Sequence, residues 1–359
     1  MRRTVSPTQV NLGSPRLHLA LSHPAMTNLH RAGLYGLSMT LKQLDKQLPD
    51  VEQRPQNVAW TVTSEDIDLY WNGEDRNALG WLVRQSFKVD DQGLIALTGL
   101  GIESLSKTVK LVIHQCITST FLQHNSVIKT EGIGEKRISV GKSGFTLKYK
   151  KLKQYAHQEF FQKLCDKKGN LIEGSVGIAS WLYPGAIVRH SRFSKDTEFE
   201  EPTELAFILL FSLVACDYYI LPPDQEGSNA SEYVVIIPQV KNLKECTQRN
   251  DYLRELDYTD FCASSTGEAC LRHLERANAS ETTQLNNYGQ CQAIRFGKVA
   301  WSKQQKTRLE VLSVSVSPQA IEEYRRSRDC FKDFKRFKLQ DGELRSVKSA
   351  FPIIASNLA

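Results

Sequence analysis

No Cys-x-x-Cys occurs in this chain, and its eight cysteines (Cys116, Cys165, Cys216, Cys246, Cys262, Cys270, Cys291 and Cys330) are scattered. Disulfide frameworks belong to short secreted domains, whereas a chain of 359 residues can bury about three-quarters of its unfolded surface without one. The tightest group, Cys262, Cys270 and His273, fits no common zinc spacing, so no metal site is expected and the cysteines read as reduced thiols. Long hydrophobic runs are also missing. The most apolar stretch, Leu205–Cys216, is followed by Asp217 and falls short of the ~20 residues of a spanning helix, which makes it a buried core helix. Arg2 and Arg3 imitate the start of a signal peptide, but Val5–Arg16 is polar and carries no apolar segment. The expectation is a cytoplasmic protein with no membrane partner.

Signatures of catalysis are absent too. Gly141-Lys142-Ser143-Gly144 invites a phosphate-loop reading, but Lys136 stands where the first glycine is required, and a hairpin turn explains the glycines better. There is no G-x-S-x-G and no H-E-x-x-H, so neither a cofactor nor a catalytic residue is expected. His30 (beside Arg31) and His190 (beside Arg189) have cationic neighbours that disfavour protonation. Either could still act as the base of a metal-independent endoribonuclease, which is the alternative reading.

What is present begins with a globular composition: 41% apolar and 24% charged residues, with 46 Lys+Arg against 40 Asp+Glu for a formal charge of +6. This excludes disordered, collagen-like and coiled-coil classes. Residues 1–15 read as a flexible tail, 16–200 as an α+β region containing a basic hairpin, and 201–359 as a second α+β region. Arg16–Leu21 alternates as a strand, and Thr27 caps a helix over Asn28–Gln47 with leucines at 29, 34, 37, 41 and 44. Val58–Val62 and Ile67–Trp71 are strands, and Lys136–Lys150 is a hairpin. Helices are expected over Glu74–Ser86, Glu103–Gln115, Pro202–Val214, Lys241–Leu256, Thr266–Ala279 and Pro318–Phe331. Strands are expected at Ile117–Leu122, Asp217–Leu221, Tyr233–Ile237, Gln290–Ala300 and Arg308–Val316. Helices and strands interleave without a dinucleotide fingerprint, so the fold class is α+β.

Basic runs interleaved with aromatics carry the functional signal. Ten lysines and arginines lie between Lys136 and Lys168, against only Glu159 and Asp166, with Phe145, Tyr149 and Tyr155 among them. On a strand, Lys148 and Lys150 share one face while Tyr149 and Lys151 share the other. Such a lysine row would track a phosphate backbone with salt-sensitive affinity. A second run, Trp301 to Arg308, adds amide side chains able to meet base edges. A third, Arg325 to Lys338, has phenylalanines every third residue, which core packing explains. A charge run is commonly a solvated face. Here the offsetting acids gather elsewhere, at Asp196, Glu198, Glu200, Glu201 and Glu204, so the charge reads as segregated and points to nucleic acid.

Leu17–Leu34 (LHLALSHPAMTNLHRAGL) resembles the start of the large subunit of type I CRISPR effector (Cascade) complexes of the myxan kind, the fruiting body developmental protein T family. Further similar pieces are Thr120–His124 (TFLQH), Pro184–Ser191 (PGAIVRHS), Ile237–Leu243 (IPQVKNL) and Ala300–Arg308 (AWSKQQKTR). They run in order through the chain. Family members continue past Ala359 into a helical region, so truncation or a separate small subunit is expected.

The resemblance implies a mixed, irregular large-subunit fold with short antiparallel sheets and packed helices. It implies a non-catalytic subunit of the type I-B kind that contacts the guide RNA 5′ end and target double-stranded DNA, reads the protospacer-adjacent motif and assists R-loop formation. The expected partners are other Cascade subunits (backbone and guide-end-capping), then a helicase–nuclease or, in a transposon-linked system, a transposition adaptor. On the endoribonuclease alternative the substrate is CRISPR repeat RNA. The candidate nucleic-acid-binding residues are Lys142, Lys148, Lys150, Lys151 and Lys153; Arg189, His190 and Arg192; and Lys303, Gln304, Gln305, Lys306 and Arg308.

Overall fold

The computed structural model describes residues 13–140, 143–184, 199–223, 230–244, 252–278, 289–299, 302–330, 337–340 and 343–346. The chain opens with β1 (Leu17–Ala20) and α1 (Asn28–Gln47), then the hairpin β2 (Ala59–Val62) and β3 (Asp66–Tyr70). α2 (Asp75–Ser86), β4 (Phe87–Val89), β5 (Ile95–Leu97) and α3 (Lys107–Ser119) lead into two 13-residue strands, β6 (Ile128–Val140) and β7 (Ser143–Tyr155). Next come α4 (Phe161–Leu164), β8 (Ser175–Ile178), β9 (Phe199–Pro202), α5 (Thr203–Leu209) and α6 (Ser212–Ala215). The last part holds β10 (Asp217–Leu221), β11 (Glu232–Pro238), α7 (Thr266–Asn278), β12 (Gln290–Val299), β13 (Ser302–Ser315), α8 (Pro318–Cys330), β14 (Phe337–Gln340) and β15 (Glu343–Ser346).

All the described sheets are antiparallel and small. β1-β3-β2 forms one, β10-β11-β12-β13 another, and β6-β7 stands as a two-stranded ribbon. This is a mixed α+β fold of packed helices and short antiparallel sheets. One hydrophobic cluster draws on residues from Leu17 to Leu344 and so on both sides of residue 200; a smaller one lies around Tyr219, Val234, Ile236 and Leu274.

α1 is the spine of the larger cluster. Its leucines at 29, 34, 37, 41 and 44 are buried on one face. Thr27 caps it, and His30 fills the capping-box position that Glu or Gln commonly holds. Gly33 and Gly36 let α5 and α6 approach closely, since a Cβ at either would overlap the backbone carbonyls of Ile208 and Phe211.

Three expectations are corrected. Pro202–Val214 is two short helices, because the chain turns at Leu210–Phe211. Leu205–Cys216 is wholly buried, and among the described residues no helix is long and apolar enough to cross a membrane. Ile117–Leu122 is not extended: α3 runs to Ser119, and Thr118 and Thr120 donate hydroxyl hydrogen bonds to the carbonyls of His114 and Cys116. Packing of Cys116 and Ile117 overrides the β preference of a β-branched run. Residues 241–243 are a loop rather than a helix start, since the Leu243 amide donates to the Ser64 carbonyl at the β2–β3 turn.

Candidate nucleic-acid interface

The β6–β7 ribbon is longer than its glycines suggested. Eight lysines and arginines and two glutamates lie between Ile128 and Tyr155. The ribbon sequence therefore carries +6, the formal charge of the whole chain, and the remaining residues sum to zero. Ile138, Phe145, Leu152 and Tyr155 are buried, so one face is held against the body. Lys148 and Lys150 are exposed on the other face, while Tyr149 and Lys151 are half-buried.

Two paired irregularities bend the ribbon near its root. Glu131 is the extra residue on β6 and Lys153 the extra residue on β7, and the two pair at 3.4 Å. Glu135 sits opposite Lys148 and pairs with it at 3.2 Å. The expected segregation of charge is corrected here: register folds two carboxylates back among the lysines, from just upstream of the basic run. Both pairs are exposed and so worth about 0–1 kcal/mol, which leaves the lysines free to exchange partners. The Lys150 ammonium donates to Asn125 Oδ1 at 2.8 Å.

Two buried histidines brace the ribbon, and sequence reasoning singled out neither. His114 on α3 accepts from the Ile95 amide at 3.1 Å through Nδ1 and donates to the Lys150 carbonyl at 2.9 Å through Nε2, which assigns its neutral tautomer. Its ring meets Tyr149 edge-on at 5.8 Å. Burial pulls its pKa down to about 4, against opposing effects of the Lys150 bond and Asp90. His157, just after β7, is fully buried among Trp181, Phe87 and Tyr155, with ring centroids at 4.6, 5.2 and 5.6 Å. Neither of its nitrogens has a hydrogen-bond partner among the described residues, and burial lowers its pKa to about 3. Gly93, at φ +76°, lets the β4–β5 turn pass under β7: its carbonyl accepts from the Leu152 amide at 2.9 Å, and a Cβ there would press on Lys151. A histidine on a mostly apolar helix face was the one available signal.

The other candidates are placed differently. Lys142, Arg189, His190 and Arg192 lie outside the described residues. Lys303, Gln304, Gln305, Lys306 and Arg308 are on β13, in a separate sheet from the ribbon. The β12–β13 register shifts between Lys298 and Val299, beside the Lys303–Gln305 stretch. In the third basic run, Arg325 and Arg326 each pair with Glu322 at 2.9 Å, and Arg328 pairs with Glu275 at 2.5 Å.

His30 is 1% exposed. Its Nδ1 accepts from the Thr27 amide and hydroxyl at 3.2 and 2.8 Å, and its Nε2 lies 3.3 Å from Tyr183 Oη, which itself donates to Glu201 at 2.6 Å. Burial, with a smaller effect of His23, lowers its pKa to about 4. A base for RNA cleavage must reach a solvent-borne hydroxyl, and this ring is committed to capping α1.

An open cleft of about 460 Å³ between α2 and α4 is lined by Arg76, Asn77, Gly80, Arg84, Phe161 and Gln162. Its guanidiniums are engaged: Arg84 covers the Phe161 ring and pairs with Glu159, and Arg76 donates to the Asp166 carbonyl. Cys262, Cys270 and His273 do not converge on a metal site. His273 instead meets Asp217 at 2.5 Å, and Cys270 contacts Cys291.

The β6–β7 ribbon thus stands on a mixed α+β body with one face covered and a lysine-rich face exposed. Residues 18–210 match the DevT N-terminal domain family, and the chain belongs to that family. It is also similar to the CRISPR-associated protein Cas8a1/Csx13 of Myxococcus xanthus (strain DK1622), with 27% identity over 370 aligned residues. That alignment takes in 99% of this chain and 62% of the relative, so the chain spans less than two-thirds of its relative's length.

Proposed function

We propose that this chain is a non-catalytic large subunit of an RNA-guided type I CRISPR effector complex. Family membership and the likeness to a CRISPR-associated protein support that role. The observation that carries it is the β6–β7 ribbon, which concentrates the chain's net positive charge on an element with one face bare. In such complexes, base pairing supplies sequence, while protein supplies backbone contacts, recognition of a short flanking motif and strand separation; the division is best known from a different effector. Lys148, Lys150, Lys151 and Lys153 hold phosphates in this reading, and Lys142 is assigned the same role from the sequence. The partners are guide RNA, target duplex and sister subunits in the cytoplasm, followed by a helicase–nuclease or transposition adaptor.

Changing Lys148, Lys150 and Lys151 together to Ala tests the reading on the full chain by fluorescence anisotropy with a labelled duplex. The expected result is weaker binding with a salt slope flatter by roughly 1 for each phosphate that is no longer neutralised. Unchanged affinity and slope would remove the ribbon from the interface.

A further inference from the structure

The cleft between α2 and α4 holds polar groups that the fold does not use up. Arg76, Gly80 and Arg84 recur every fourth residue and so share one face of α2. Gly80 sets the floor: a Cβ there would stand 2.9 Å from Phe161 Cε2, so its absence lets the buried ring close against the helix. The Arg84 guanidinium lies over that ring, 4.7 Å from its centroid. Asn77 and Gln162, both exposed, complete the lining.

Each polar group has a partner and something left over. Arg76 gives Nη2 to the Asp166 carbonyl, and its Nε is buried without a hydrogen-bond partner among the described residues, which leaves Nη1 to meet a ligand. Arg84 gives only Nη2 to Glu159, at 3.4 and 3.3 Å, in an exposed pair that is easily opened. Asn77 donates Nδ2 to Glu74 at 2.9 Å, and Gln162 donates Nε2 to Glu159 at 2.6 Å. Those donations leave each amide oxygen as an acceptor. The cleft therefore offers two cationic donors and two neutral acceptors.

That combination selects a ligand class. A guanidinium binds phosphate, and one braced on an aromatic ring offers its other flat face to a nucleobase. An amide oxygen accepts from an exocyclic amino group, which adenine, guanine and cytosine carry and uracil lacks. An acidic side chain or inorganic phosphate would satisfy the arginines and leave the amide oxygens and the flat face without a role. Arg76 and Arg84 are eight residues apart, a rise of about 12 Å, so phosphate and base can occupy opposite ends. The volume of about 460 Å³ lies in the roughly 300–1,000 Å³ range of small-ligand clefts.

We propose that the α2–α4 cleft binds a free nucleoside monophosphate. Arg76 takes the phosphate, the Asn77 oxygen a ribose hydroxyl, the Arg84 guanidinium the face of the base, and the Gln162 oxygen its amino group. None of these groups belongs to the ribbon, so the inference stands apart from the role proposed for it.

The test is isothermal titration calorimetry of the full chain with AMP, GMP, CMP, UMP, adenosine and inorganic phosphate. The three amino-bearing monophosphates are expected to bind, with UMP and adenosine roughly five- to tenfold weaker and inorganic phosphate silent. Arg84→Ala should weaken every monophosphate about tenfold through lost stacking, whereas Gln162→Leu should abolish only the preference over UMP. Both positions are exposed, so folding is not at stake. Equal binding of UMP and AMP, or of inorganic phosphate and AMP, would overturn the nucleotide reading. So would no binding of any monophosphate at millimolar concentration, binding indifferent to both variants, or binding of short single-stranded oligonucleotides alone.

Discussion

The β6–β7 ribbon and the β10–β11 edge of the four-stranded sheet are both antiparallel pairs, yet they spend their side chains in opposite ways. All five residues of β10 are buried, and β11 is buried from Tyr233 to Pro238, because further core covers both faces. In the ribbon only one face is covered, and the other is left to Arg137, Glu135, Lys148, Ile133 and Lys150. β11 also pairs with β12 on its other edge, whereas β6 and β7 pair only with each other, but the antiparallel pairing of each couple is alike. What differs is whether a second layer exists, and where it does not, the exposed alternation is available for a partner.

The largest expected effect comes from making one change in both places. Val235→Asp in β11, at a fully buried position, should cost on the order of 4–5 kcal/mol and leave little folded protein by circular dichroism. Ile133→Asp on the ribbon should shift stability by no more than about 0.5 kcal/mol.

Acid sharpens the comparison next. His30, His114 and His157 are kept neutral by burial, with pKa values lowered to about 4, 4 and 3 from an ordinary 6.5. The unfolded chain then binds more protons than the folded one below 6.5, so stability is full above that value and falls as pH drops through it. At pH 5 each histidine should cost about 2 kcal/mol, a large part of a typical stability of roughly 5–15 kcal/mol. Urea titrations at pH 7.5 and pH 5 would measure this. His157→Phe should remove about a third of the difference and, by deleting two unpartnered buried nitrogens, stabilise the protein by about 1 kcal/mol at pH 7.5. An unaltered pH dependence would show that His157 is not buried as described.

The smallest effect concerns the carboxylates folded back onto the ribbon. Glu131→Gln should change stability by a few tenths of a kcal/mol, as for any exposed pair, and tighten nonspecific duplex binding about twofold by leaving Lys153 unopposed. Weaker binding would mean that Glu131 itself contacts the partner.

Much of the local structure was legible in the residues. Leucines at helical spacing behind Thr27 define α1 from Asn28 to Gln47, and the turn residues between Val62 and Ile67 define the β2–β3 hairpin. Those signals are short-range, so they survive without knowledge of neighbours. The break at Leu210–Phe211 was not legible, because an unbroken apolar run does not say where packing against Gly33 and Gly36 bends it. In the third basic run, Arg325, Arg326 and Arg328 are paired with carboxylates, Arg328 through Glu275 from another helix, a partner that sequence does not reveal.

For the candidate interface, the chain alone determined that lysines recur on alternate positions of a strand-forming stretch, since the period of two is a property of extended backbone. Tertiary structure decided which face was covered, that Glu131 and Glu135 return among the lysines, and that His114 and His157 lie beneath them. Cross-strand register and burial depend on residues far apart in sequence meeting in space, and no local pattern encodes those meetings.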